Sequence, residues 1–121
     1  MDIAYVNVYV SDLDRAVAFY EGVLGLEKQF ADAEFGYASF TAGPVHLGLA
    51  VAGEGQEALI GRHTGVGFST SDLEADYADL SEQGVHFSKL PEKQPWGGFM
   101  ALLDDPDDNV FYLDQVNVVH N

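Results

Sequence analysis

The sequence predicts an α+β domain in which two βαβββ modules, residues 1–60 and 61–121, pair to form a partly open β-barrel or cleft. Three observations carry that expectation. A strictly alternating segment runs into an amphipathic helical stripe, the same order returns from Ser11 to Ser71, and each stripe is followed by three short β-rich runs bounded by turn residues.

Residues Ala4 to Val10 alternate, with Val6, Val8 and Val10 on one side and Tyr5, Asn7 and Tyr9 on the other, which predicts a strand buried on its valine side. Ser11 and Asp14 have the spacing of a capping box. Leu13, Ala16, Val17, Tyr20, Val23 and Leu24 then follow at helical spacing, and Gly25 is placed to end the helix. The second copy reads the same way. Gly65 to Thr70 alternates, Ser71 and Glu74 form a second box, and Leu73, Tyr77 and Leu80 make the stripe before Gly84. The tripeptide Ser-Asp-Leu, at 11–13 and again at 71–73, sets the register of the repeat. The further strands are predicted at 26–30, 36–41 and 45–51 in the first copy and at 85–90, 99–103 and 109–113 in the second. A lone module leaves one sheet face uncovered, because its helix shields only the other; pairing two modules encloses the open faces.

At 121 residues and 47% hydrophobic content, the chain is long enough for one core and too short for two ordinary domains. No segment reaches the roughly 20 apolar residues that span a bilayer, and the N-terminus runs directly into a strand, so a cytoplasmic protein is expected. The absence of cysteine removes disulfides, thiolate chemistry and sulfur-ligated zinc, leaving four histidines as nitrogen ligands. Twenty acidic against five basic residues give a formal net charge of −15. That field repels nucleic acid and anionic membranes and leaves few partners for phosphate or polycarboxylate ligands. It serves either solubility, including in a salty habitat, or the attraction of a cation.

The run from Val8 through Ser11-Asp12-Leu13 to Tyr20, followed by Val23-Leu24-Gly25-Leu26, resembles the opening of the vicinal oxygen chelate superfamily. That group includes glyoxalase I, extradiol dioxygenases, fosfomycin resistance enzymes and bleomycin resistance proteins. A second match runs from Gln94-Pro95-Trp96-Gly97 to Asp105-Pro106-Asp107-Asp108-Asn109 and is nearest to the bleomycin-resistance branch. The resemblance spans nearly the whole chain and speaks for fold more than for activity. Where the family usually has glycine in a left-handed turn, Asp108 stands here, and the turn is expected to survive because Asp tolerates that conformation.

Metal-using members of the group place one ligand on the first strand and one on the last strand of each module. The resemblance maps those positions to Tyr5, His46, Gly65 and Tyr112. Only His46 is an ordinary ligand for a divalent ion, so neither a metal nor another cofactor is expected, and enzyme activity of the usual metal-dependent kinds is disfavoured. The alternative is a glyoxalase-type lyase or dioxygenase with an atypical metal site around His46, recruiting His63 with Asn7 or Asp114.

Positions sharing the parity of Tyr5 include Asn7, Tyr9, Tyr37, Ser39, His46, Gly48, Gly65, Gly67, Ser69, Tyr112 and Asp114. Glycines leave space and tyrosines supply flat walls with a hydroxyl, a pattern suited to a planar ligand; alternatively the tyrosines fill the barrel. Trp96, in a glycine-flanked turn, is either a lid over the cleft or a plug between subunits. His46 is a general base or hydrogen-bonding group, or simply a polar wall residue. Ser39 and Ser69 lack partners for nucleophilic catalysis, and no catalytic residue is identified. The expected function is metal-independent binding of a small, cationic aromatic molecule or antibiotic, as in bleomycin resistance. Its expected ligand-binding residues are Tyr5, Asn7, Tyr37, His46, Trp96 and Tyr112, and a homodimer is expected from relatives of this length.

Overall fold

The alternating segment at the start becomes β1 (Tyr5–Val10), with Val8 and Val10 buried and Tyr5 and Asn7 exposed. A computed structural model describes residues 1–116; residues 117–121, which include His120 and the end of the second predicted module, lie outside the described part. The described residues form two compact units. One is Met1–Arg62 with Pro106–Asp108, and the other holds His63–Asp105 and the residues from Asn109 onward.

In the first unit β1 leads to α1 (Leu13–Val17), which continues as a π-helical segment (Ala18–Val23). Then come β2 (Glu27–Asp32), β3 (Tyr37–Ala42), β4 (Val45–Val51) and a 3-10 turn (Glu57–Leu59). The sheet order is β1-β4-β3-β2, with β1 parallel to β4 and the other neighbours antiparallel. The helical segment contributes Ala16, Phe19 and Tyr20 to a core completed by Val8, Val10, Ala38, Phe40, Leu47 and Leu49. Tyr20 lies between Phe19, edge-on at 5.2 Å, and Phe40 at 6.2 Å. The wider π turn, in which the Leu24 amide donates to the Phe19 carbonyl five residues back (2.9 Å), brings the sequence neighbours Phe19 and Tyr20 both to the buried side.

The second unit repeats the order with β5 (His63–Thr70), α2 (Leu73–Glu82), β6 (Phe87–Lys93), β7 (Phe99–Asp104) and β8 (Val110–Gln115). Its sheet order is β5-β8-β7-β6, again with the first pair parallel. Leu73, Leu80, Phe87, Ala101, Leu103, Phe111 and Leu113 form its core. Pro91 falls in β6, at the sheet edge, where the pairing with β7 is irregular and a missing amide donor is tolerated.

Several expectations are corrected in detail. The helix caps are Asp12 and Asp72, whose carboxylates accept from the amides of Arg15 (2.9 Å) and Ala75 (3.1 Å), not Ser11 and Ser71. The Asp is the last extended residue before each helix and offers a charged acceptor to the helix N-terminus. The Ser11 hydroxyl is already committed to Asp107, at 2.6 Å. Gly36, expected inside a strand, sits in a turn at φ 63°, and Asn109 closes the final turn through its side-chain bond to Asp105 (2.9 Å) before β8 begins. Asp108 adopts φ 64°, the left-handed turn expected of it. The strands form two open four-stranded sheets, each with two edge strands, and are not closed into a barrel, since four strands leave edges unpaired. Among the described residues no helix is long and apolar enough to cross a membrane.

Phe40 and Phe111 have no exposed surface, whereas Tyr5 is 60% exposed. Truncating either phenylalanine to alanine is expected to lower unfolding free energy in urea titrations by about 3–5 kcal/mol. Tyr5→Ala is expected to stay within about 0.5 kcal/mol.

Candidate functional site

The face of the first sheet turned away from α1 carries three rows set by the strand register. Tyr5 pairs with His46 and His46 with Thr41; Asn7 pairs with Gly48 and Gly48 with Ser39; Tyr9 pairs with Ala50 and Ala50 with Tyr37. Four of the predicted ligand-binding residues, Tyr5, Asn7, Tyr37 and His46, thus share one face of one sheet. Trp96 and Tyr112 belong to the second unit, on a turn and on β8.

Tyr37 does not stand upright in its row. Its hydroxyl donates to Asn7 Oδ1 at 2.7 Å, so the side chain lies diagonally across Gly48. A Cβ built at Gly48 would collide with the Tyr37 hydroxyl and Asn7 Oδ1, and would sit 2.7 Å from Tyr37 Cζ. The glycine therefore makes no open space: it is the slot into which an aromatic ring is laid and pinned by a hydrogen bond. Phe30 extends the ring surface, 6.1 Å from Tyr37. Burial, with the neighbouring Tyr5 second, raises the Tyr37 pKa above its ordinary 10.0, so at neutral pH the hydroxyl remains a donor.

Beside this ring lies a second polar cluster. Gln29 Oε1 accepts from Ser39 Oγ at 3.0 Å and lies 2.6 Å from His46 Nδ1. Gln29 was not a sequence candidate, and nothing in the periodicity marks it, because it is the extra residue of a β-bulge where the β2–β3 register shifts between Lys28 and Phe30. A shallow groove of about 500 Å³ at the strand ends of the same unit was also unforeseen; Asp12, Asp14, Glu34 and the exposed Phe35 are among its lining residues.

In the second unit Gly67, not Gly65, pairs with Tyr112. Gly65 takes φ 72° in the irregular stretch between His63 and Gly67, a conformation that displaces it from the ladder. The His63 ring packs 4.9 Å from that of Tyr112, and its Nδ1 accepts from the Gly65 amide at 3.1 Å. Asn7 and Gly67 stand at equal distances before Ser11 and Ser71, so the first-copy counterpart of Tyr112 is Gly48. His46 is one row away. Trp96 is 57% exposed and folds back over Gly98, in a turn closed by the Gln94 amide donating to the Gly98 carbonyl at 2.6 Å.

These side chains do not fit a divalent ion. At the four mapped positions Gly65 has no side chain to offer, and Tyr5 and Tyr112 are not among the usual ligands of a divalent ion. Gly48, the counterpart of Tyr112, is covered by Tyr37. Among the described residues no three His, Cys, Asp or Glu side chains are grouped to hold a metal. Of the recruits named for an atypical site, Asn7 Oδ1 accepts from Tyr37, and His63 Nδ1 accepts from the Gly65 amide.

Two outcomes follow from this geometry. Gly48→Ala should displace Tyr37 and cost about 1–3 kcal/mol in denaturant titration, and the cost should shrink when Tyr37→Ala is present, a coupling a double-mutant cycle reads directly. In alkaline ultraviolet titration Tyr37 should ionise above 10.0, with the late component absent in Tyr37→Phe and moved down in Tyr5→Phe. Because the folded pKa is the higher, the unfolded chain releases this proton first, and the contribution of Tyr37 to stability falls as pH rises beyond about 10.

The family model for the glyoxalase/bleomycin resistance protein/dioxygenase superfamily matches residues 2–113. A superfamily member from Sphaerobacter thermophilus is 30% identical, with TM-score 0.83 over 95% of this chain and 97% of its own. TnmS3, an antibiotic binding protein from Streptomyces sp. CB03234, is 28% identical, with TM-score 0.79 over 95% of each chain. A glyoxalase/bleomycin resistance protein from the same strain is 29% identical, with TM-score 0.72 over 94% of this chain and all of its own. Comparison with curated proteins finds no match. With its two sheets in the same arrangement of strands and the family match running through nearly all of both, this chain belongs to the glyoxalase/bleomycin resistance protein/dioxygenase superfamily.

Proposed function

We propose that this chain binds a small aromatic, positively charged compound without a metal ion, in the manner of a bleomycin-resistance or antibiotic-binding protein. The observation that carries the reading is Tyr37 laid across Gly48 and pinned to Asn7, which turns the position matching Tyr112 from a place for a metal ligand into an aromatic wall. Tyr5 and Phe30 are exposed on the same sheet and extend the stacking surface, on which a planar cation gains both ring contact and cation–π attraction. The net charge of −15 favours cations at longer range. TnmS3, an antibiotic binding protein, is a relative of the same fold and length.

Titration with bleomycin and with simpler cationic aromatic compounds, followed by Trp96 and tyrosine fluorescence, tests the reading. Saturable binding should weaken as salt rises, because the screening length falls from about 10 Å at 0.1 M to about 3 Å at 1 M, while an uncharged analogue should show little salt dependence. Tyr37→Ala should weaken both by about fivefold or more, the effect of removing a stacking partner. A stoichiometric divalent ion in protein purified without chelator, lost in His46→Ala, would instead select a metal-dependent lyase or dioxygenase. We further expect a homodimer, which light scattering decides.

A further inference from the structure

We infer that Gln29 is a positioning residue that fixes the tautomer of His46, so that the site selects ligands presenting a hydrogen-bond donor, a phenolic hydroxyl or an ammonium, to His46 Nε2. The ligand selection rests on the binding reading above; the tautomer does not.

Lys28 pairs with Phe40 and Phe30 with Ser39, which leaves Gln29 without a ladder partner on β3. At a bulge the extra residue is free of the strict alternation of the strand, and here its amide reaches Ser39 and His46 on the face away from α1. The amide oxygen can only accept. Ser39 Oγ donates to it at 3.0 Å, and the remaining partner, His46 Nδ1 at 2.6 Å, must supply a hydrogen for so short a contact to be favourable. A neutral His46 therefore carries its proton on Nδ1, and Nε2 is left with a lone pair. Among the described residues Nε2 has no hydrogen-bond partner.

The consequence is chemical. Next to Tyr5, its partner on β1, His46 presents an acceptor and not a donor. A ligand hydroxyl or ammonium meets that lone pair productively; a carboxylate or carbonyl meets it lone pair to lone pair, in a chain already carrying −15. Within the class of cationic aromatics, the site should then prefer a phenol to its methyl ether.

Two measurements test this. Long-range nitrogen–proton correlation spectra of the histidine rings, with the His46 signal assigned by its loss in His46→Asn and the ring held neutral, report the tautomer without any ligand. The expected result is the Nδ1–H form in the native chain, its loss in Gln29→Leu, and its retention in Gln29→Glu, which keeps an acceptor oxygen. The Nε2–H form in the native chain overturns the inference and leaves the binding reading intact. For selection, tyramine and its O-methyl ether form a matched pair. Tyramine should bind about five- to tenfold more tightly, the effect of one net hydrogen bond, and the ratio should fall to about one in Gln29→Leu. Equal binding of the two by the native chain overturns the selection alone. Binding of neither overturns the selection and counts against the binding reading, while the tautomer is still decided by the spectra.

Discussion

Each helix covers one face of a four-stranded sheet, and that one-sided burial sets the parity of the strands beneath it. In the first unit Val8, Val10, Phe40, Leu47 and Leu49 face the helical segment, with Phe19 and Tyr20 filling the space between. A residue's neighbours on the ladder then determine what stands beside it on the other face. Tyr5, Asn7, Tyr37 and His46 share that face because the core residues between them are committed to the opposite one. Deleting core volume would cost stability; a slip of one residue would turn the tyrosines inward and the valines to water.

On that face the decisive position has no side chain. Gly48 allows Tyr37 to leave its own row and reach Asn7, and the partly buried phenol then stays protonated and donating. The ladder makes Gly48 the counterpart of Tyr112, so neither copy offers a ligating side chain at that register. Core and candidate site occupy opposite faces of the same strands, so the side chains of that face can differ without any change to the core.

Irregularity supplies what the regular ladder does not. The bulge at Gln29 adds a polar side chain beside Ser39 and His46. At Gly65 a left-handed residue interrupts β5 and moves the pairing of Tyr112 to Gly67. In the closing turn, Asp107 takes bonds from the Ser11 amide and hydroxyl and from Arg15, at 2.6–2.9 Å, and joins the start of α1 to a turn distant in sequence. The ion pair in that set is made by Arg15, one of five basic residues in the chain.

Much of this was legible in order and parity. The Ser-Asp-Leu repeat announced the duplication, alternation separated Val8 and Val10 from Tyr5 and Asn7, and Asp108 kept the left-handed turn because Asp tolerates it. These are local properties, written in spacing and residue type. The caps fell to Asp12 and Asp72 because backbone conformation and the competing demand of Asp107 on Ser11 decide which side chain is available. The diagonal lie of Tyr37, the bulge that aims Gln29 and the register at Gly65 depend on which strand pairs with which residue by residue. Sequence alone determined the composition of each face; tertiary pairing decided which of its residues touch, since contacts between strands far apart in the chain have no local signature.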